Sequence, residues 1–201
     1  MSNLLTIIPP TGHALPPWQR LLTIADVAAL PSSLPSGDVR YELDNGSLII
    51  MPPPGADHGI GQGKVYHHLL VQGQSHGHGK AFAEVGIILK RNPDSLVGAD
   101  NAFVCQRSLP VKKSHEGYLE TIPELVVEVR SKNDTNKKIE DKVAAYHLAG
   151  VVVIWVPDPA TRTLTVYHAG QQPVVLKADE LLTVPDLIPG FQIAVRELFD
   201  S

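Results

Sequence analysis

A chain of 201 residues is within the range of one domain and long enough to bury a sizeable core. With 43% hydrophobic and 19% charged residues it is neither a disordered nor a fibrous chain. The balance of 17 basic against 21 acidic residues leaves a net charge of −4, which excludes a broad basic face coating nucleic acid but leaves room for a small basic cleft.

Residues 1–20, with Pro9, Pro10, Pro16 and Pro17, are expected to form an irregular arm ahead of a single domain over 21–201. No charged segment precedes those prolines, so no signal peptide is expected. Nor does any stretch approach the roughly 20 apolar residues of a membrane span. Thr23-Ile24-Ala25-Asp26 resembles a capping box with Asp in place of Glu, opening a short helix that stops at Pro31. Next, Arg40 to Asp44 and Ser47 to Met51 flank Asn45-Gly46, a strong hairpin signal, and Pro52-Pro53-Pro54 ends the second strand.

Val65, Leu69 and Gln72, with Ile60 upstream, predict a helix over 57–74, weakened by its glycines and turned out at Gly77 and Gly79. Ala81 to Leu89 and Ala99 to Val104 read as strands joined by the turn at Arg91-Asn92-Pro93-Asp94. The single cysteine, Cys105, rules out an internal disulfide and a cysteine-rich zinc site, so a reducing, cytoplasmic setting is expected. Residues 106–122 are polar without a clear period and read as a loop.

The clearest unit starts at Pro123. Leu125-Val126-Val127-Glu128-Val129 is the apolar run of a strand covered on both faces. Asn136 to Ala149 puts Ile139, Val143 and Tyr146 on one helical face, with Gly150 as the stop. Val151 to Val156 is a second buried strand, so a parallel βαβ crossover is expected. Asp158 to Arg162 turns into a strand at Leu164 to Tyr167, another follows around Val174, and a short terminal helix is expected near Val195 to Phe199.

Two acidic residues interrupt apolar strands. An unpaired carboxylate at Glu128 would be costly inside its run, so it is either paired with a Lys or Arg, turned to water at a strand end, or held by a metal or functional lysine. Asp100 presents the same anomaly between Ala99 and Ala102-Phe103-Val104. Two such carboxylates suit a hard cation such as Mg²⁺ or Mn²⁺, which prefers oxygen ligands. Glu84 and Glu42 sit in two further strands, each either lining the same pocket or facing solvent. The nearby cation is Arg130, two residues after Glu128 and so expected on the same strand face, or Lys142, one helical turn after Lys138. Lys137 and Lys138 read as a solvated helix face.

Gly59-Ile60-Gly61-Gln62-Gly63 lacks the full phosphate-loop spacing and follows a proline turn. His67-His68 and His76-Gly77-His78 read as exposed turn histidines, and Cys105 has no evident histidine partner.

Arg40-Tyr41-Glu42-Leu43-Asp44-Asn45-Gly46, Pro53 to His58, Glu84-Val85-Gly86, Ala99-Asp100, Pro123 to Val129, Lys142 to Tyr146 and Pro189-Gly190 occur in an order that resembles the Uma2 family, within the PD-(D/E)XK nuclease superfamily. The resemblance covers roughly residues 20–200. It implies a restriction-endonuclease-like α/β (α+β) fold, a central mixed sheet flanked by helices. It implies that Asp100 and Glu128 bind Mg²⁺ (or Mn²⁺) for phosphodiester hydrolysis of DNA, that Glu42 is a further metal contact, and that His58 lies near the pocket. The chain departs from the superfamily pattern at Ala99, where the motif has proline, and at Arg130, where it has lysine. Arginine stays protonated and cannot serve as a general base; Lys142 is the preferred source of the missing ammonium. The leading expectation is a magnesium-dependent endonuclease, for which a homodimer would suit two-strand cutting by analogy. The alternatives are a catalytically degenerate member that binds nucleic acid or protein, and an oligomerisation domain.

Overall fold

The computed structural model describes residues 20–35 and 37–199. The expectations for the N-terminal arm and for a signal peptide therefore lie, Arg20 apart, outside the described residues. Thr23 caps α1 (Ile24–Ala28): its hydroxyl accepts from Asp26 N–H, and the Asp26 carboxylate accepts from Thr23 N–H at 2.8 Å. α1 buries Ile24 and Val27 against Leu43, Ile88 and Leu96.

A two-residue pair, β1 (Ser33–Leu34) and β2 (Gly37–Asp38), leads into β3 (Arg40–Asp44) and β4 (Ser47–Met51). Asp44 pairs with Ser47, so Asn45-Gly46 forms the two-residue loop, with φ of 49° and 80°. Both angles are positive, as a turn matching the strand twist requires.

α2 (Ala56–His68) is shorter than expected, since its last stretch widens into a π-turn over Leu69–Gly73 and tightens over Gln74–His76. Close packing accounts for glycine there: a Cβ on Gly73 would lie 2.7 Å from the Phe103 ring. β5 (Gly79–Lys90) and β6 (Ser95–Cys105) both run longer than their apolar cores and pair antiparallel. The loop after β6 is irregular, but it is tied down by Leu119, whose N–H donates to Gly86 O (2.8 Å) and whose carbonyl accepts from Ile88 N–H (2.9 Å).

β7 (Leu125–Val127), α3 (Asn136–Ala149) and β8 (Val153–Asp158) form the parallel crossover, in register from Leu125↔Val153 to Val127↔Trp155. The helix bounds match the sequence reading, with Thr135 capping and Gly150 left-handed at φ 108°. β8 starts two residues later than expected, because the Val151 and Val152 amides close α3 onto Tyr146 O and Glu124 O. β9 (Thr163–His168) and β10 (Val174–Leu176) follow. β11 (Leu181–Thr183) and β12 (Gln192–Ala194) form a further hairpin that the sequence pattern did not reveal. The expected terminal helix is one 3₁₀ turn, Val195–Leu198.

These strands build an eight-stranded mixed sheet in the order β10-β9-β8-β7-β6-β3-β4, with β5 on β6. One hydrophobic cluster packs α2 and the C-terminal hairpin region around Phe103, Trp155 and Phe191. Another packs α3, through Ile139, Val143 and Tyr146, on Val126 and Ile154. The result is a central mixed sheet flanked by helices. No helix among the described residues is long and apolar enough to cross a membrane.

Candidate active site

The site lies at a seam in the sheet. β5 runs along one edge of β6, and the other edge is shared. β3 meets it at Leu43↔Leu96, and β7 meets it from Asn101↔Val127 to Phe103↔Leu125. Between those two attachments side chains replace the backbone ladder. Glu42 Oε1 accepts from Gly98 N–H at 2.9 Å, and Asp100 Oδ2 accepts from Val129 N–H at 2.7 Å. Three acidic residues, Glu42 and Asp100 in strands and Glu128 just past β7, are thereby brought to one place.

Glu128 follows the last residue of β7, its amide still bonded to Trp155 O. α3 covers its carboxylate. Lys142 Nζ donates to Glu128 Oε2 at 2.9 Å and to Glu42 Oε1 at 3.1 Å, and the Tyr146 hydroxyl donates to Glu128 Oε1. Lys142 and Tyr146 are one helical turn apart and so reach the same spot. Burial pushes the Glu128 carboxyl up to about 7, against the pull of Lys142 and with the help of the Asp100 and Glu42 charges. For Lys142 burial opposes the ammonium, but Glu128 and Glu42 outweigh it and hold the charge above the ordinary lysine range.

α2 supplies the opposite wall. His58 Nε2 lies 3.0 Å from Asp100 Oδ2. Burial works against the imidazolium, yet the hydrogen bond to Asp100 and its charge raise the His58 pKa above the usual value. His58 Nδ1 is buried with no partner among the described residues. One turn further on, Gln62 Nε2 donates to Glu84 Oε1 (3.0 Å) and to Asp100 O (3.2 Å).

Glu84 stands opposite Asp100, between the pairs Ala83↔Asn101 and Val85↔Ala99, and at φ 49°. A left-handed glutamate costs about 1–2 kcal/mol and persists only where surroundings over-determine it. Here Gln62 and the Arg40 guanidinium both hold its carboxylate.

Of the sequence candidates, the structure gathers Asp100, Glu128, Lys142, Glu42, His58 and Glu84. Arg130 departs. Its Nη2 donates to Asp134 O and Asn136 Oδ1, and its Nη1 lies 3.9 Å from Asp158. The alternation itself holds, since the Glu128 and Arg130 amides continue the ladder to Trp155 O and Pro157 O. The two-residue step nevertheless carries Arg130 to the start of α3, where Asp134 and Asn136 engage it, rather than to the Glu128 carboxylate. Gln62, Tyr146 and Arg40 were not singled out. A signal existed for each: Gln62 is four residues after His58, Tyr146 four after Lys142, and Arg40 two before Glu42 on the same strand.

Asp100 and Glu128 present oxygen donors of the type a hard divalent cation takes. Asp100 Oδ1 is the more open oxygen, with Arg40 Nη1 at 3.9 Å. Among the described residues no group of three or more His, Cys, Asp or Glu side chains converges as a preformed metal cage.

A mixed sheet with helices on both faces and acidic residues at a seam in the sheet defines a nuclease-like α/β protein in fold. The solved structure of a "putative nuclease belonging to DUF820" from Anabaena variabilis is similar to this chain over 89% of its length and 97% of the other chain, with a TM-score of 0.71 at 20% identity. A family model, Uma2, described as "putative restriction endonuclease", matches residues 25–196, and the chain belongs to that family. No protein with a curated description matches the chain.

Proposed function

We propose that this chain is a metal-dependent endonuclease that hydrolyses phosphodiester bonds of DNA in the cytoplasm, with Asp100 and Glu128 holding Mg²⁺ or Mn²⁺. The observation that carries this reading is the unbalanced charge at the seam. Four carboxylates, Glu42, Glu84, Asp100 and Glu128, meet two fixed cations, Lys142 and Arg40, and the His58 imidazole beside Asp100. Even with His58 protonated the carboxylates outnumber the cations, and a divalent ion would offset the excess negative charge. The donor set fits such an ion, because magnesium is commonly held by one or two carboxylates and keeps several waters. When bound, the ion would act as a Lewis acid on the phosphate.

The chain's own residues supply the rest. Asp100 is oriented by the Val129 amide and His58. Lys142, fully charged between two carboxylates, places an ammonium where negative charge develops and cannot act as a base at neutral pH. Tyr146 fixes the Glu128 carboxylate from the other side.

The purified protein is expected to cut duplex DNA in Mg²⁺ or Mn²⁺, and Asp100→Ala to abolish cutting. Persistent cleavage by that variant would overturn the assignment. One observation favours a second reading, a non-catalytic member that binds nucleic acid or protein: both Glu128 oxygens are already engaged, by Lys142 and Tyr146. Calorimetric titration with Mn²⁺ separates the two, since a degenerate site gives no heat that depends on Asp100 and Glu128.

A further inference from the structure

Arg40 opens β3 two residues before Glu42, so both side chains leave the same strand face. Its Nη2 donates to Glu84, while Nη1 comes only to 3.9 Å from Asp100 Oδ1, beyond hydrogen-bonding range. The Arg40 side chain is 34% exposed and its partner Glu84 48%. The other cationic groups near Asp100 and Glu128 are committed, His58 among them at 3.0 Å from Asp100 Oδ2. Lys142 is 17% exposed and bonded to two carboxylates, and Arg130 is turned into the loop before α3. Arg40 is thus the solvent-facing guanidinium beside Asp100, with one arm short of a hydrogen bond.

Glu84 explains how such a group is kept in place. Among the non-glycine residues described at positive φ, Asn45, Asn92 and Arg162 lie in turns, and Glu84 alone lies inside a strand. Its backbone is held in an unfavourable conformation that aims its carboxylate at Arg40 and Gln62. Backbone conformations of this kind cluster at binding and catalytic sites.

We propose that Arg40 is the phosphate-positioning residue of the site. It exchanges its Glu84 partner for a non-bridging oxygen of the DNA backbone beside Asp100, and Glu84 serves as its counter-ion in the free protein. A guanidinium suits this exchange because carboxylate and phosphate present the same fork of acceptor oxygens. The inference rests on the nuclease reading only for the identity of the bound polymer. No covalent bond changes in this step.

The test is fluorescence anisotropy of a labelled DNA duplex with the full chain in Ca²⁺, with substrate integrity checked on a gel and salt varied. Arg40→Met is expected to weaken binding about tenfold and to reduce the slope of log affinity against log salt by about one. Arg40→Lys should restore the slope but not the full affinity, and Glu84→Gln should tighten binding by removing the competing charge. Melting curves identify any variant that fails to fold, and the salt slope reports phosphate contact independently of stability. Unchanged affinity and slope in Arg40→Met would overturn the proposal, even if Asp100→Ala abolishes cleavage. Wild-type binding that depends on Arg40 without any cleavage would support it and remove only the nuclease reading. Failure of the wild-type chain to bind the duplex would overturn both.

Discussion

The ammonium of Lys142 on α3 lies 2.9 Å from the carboxylate of Glu128 at the end of β7, and the same nitrogen reaches Glu42 on β3 at 3.1 Å. One side chain therefore ties the covering helix to two strands that do not pair with each other. Replacing Lys142 by methionine strands two largely buried carboxylates side by side. Breaking a buried pair on one side costs about 3–5 kcal/mol. The denaturation midpoint of Lys142→Met should fall accordingly, and adding Glu128→Gln should recover part of the loss. Equal stability of wild type and Lys142→Met in urea would contradict this geometry.

Acid sensitivity should have a component from Asp134. Burial raises its pKa, but Lys138 and the Ser131 amide outweigh burial, so the folded value lies below the ordinary 3.8. A carboxyl with a lowered folded pKa adds stability that is present above its unfolded value and is lost as pH falls through the folded one. Asp134→Asn should be less stable than wild type near neutrality, with the gap closing below about pH 4. A pH series of thermal melts for both proteins checks the sign.

Cys105 should be inert in the folded protein. It is 3% exposed, and burial pushes its thiol up to about 11, with the Glu124 charge adding to the effect. Thiolate is the reactive form. A chromogenic disulfide reagent at pH 8 should titrate no thiol in the native chain and one after denaturation; rapid native labelling would contradict the packing of the end of β6.

Two glycines should respond oppositely to alanine. A Cβ on Gly79 would sit 2.2 Å from Val104 O, in backbone that cannot swing aside, so Gly79→Ala should lower stability by about 1–3 kcal/mol or more. Gly63, inside α2, is exposed and meets nothing within 4 Å. Gly63→Ala should raise stability by roughly 0.5–1 kcal/mol through helix propensity. Paired melting temperatures decide, and matching signs would refute the contrast.

Much of the framework was legible because its causes are local. Asn45-Gly46 encodes its turn through φ, Thr23 encodes a helix start through its hydroxyl, and Gly150 encodes a stop. The apolar runs at Leu125 and Val153 encode buried parallel strands, since both faces must shed water. The same logic exposed Asp100 and Glu128, because a carboxylate in an apolar run demands an explanation from the sequence itself. The hairpin of β11 and β12 stayed hidden, as two three-residue strands are too short to show a period.

What the sequence determined by itself was therefore most of the longer elements and the two anomalous carboxylates. The tertiary structure decided the company those carboxylates keep. Strand parity put Arg130 on the face of Glu128, but Asp134 and Asn136 around the start of α3 take its guanidinium away from that carboxylate. The spacing that brings Lys142 to Glu128 and Glu42 spans 14 and 100 residues. The left-handed Glu84, the turn of Gln62 towards it and the half-open Arg40 arise from three elements closing on one seam. Such contacts are set by where β3, β6 and β7 part, and no local pattern encodes that separation.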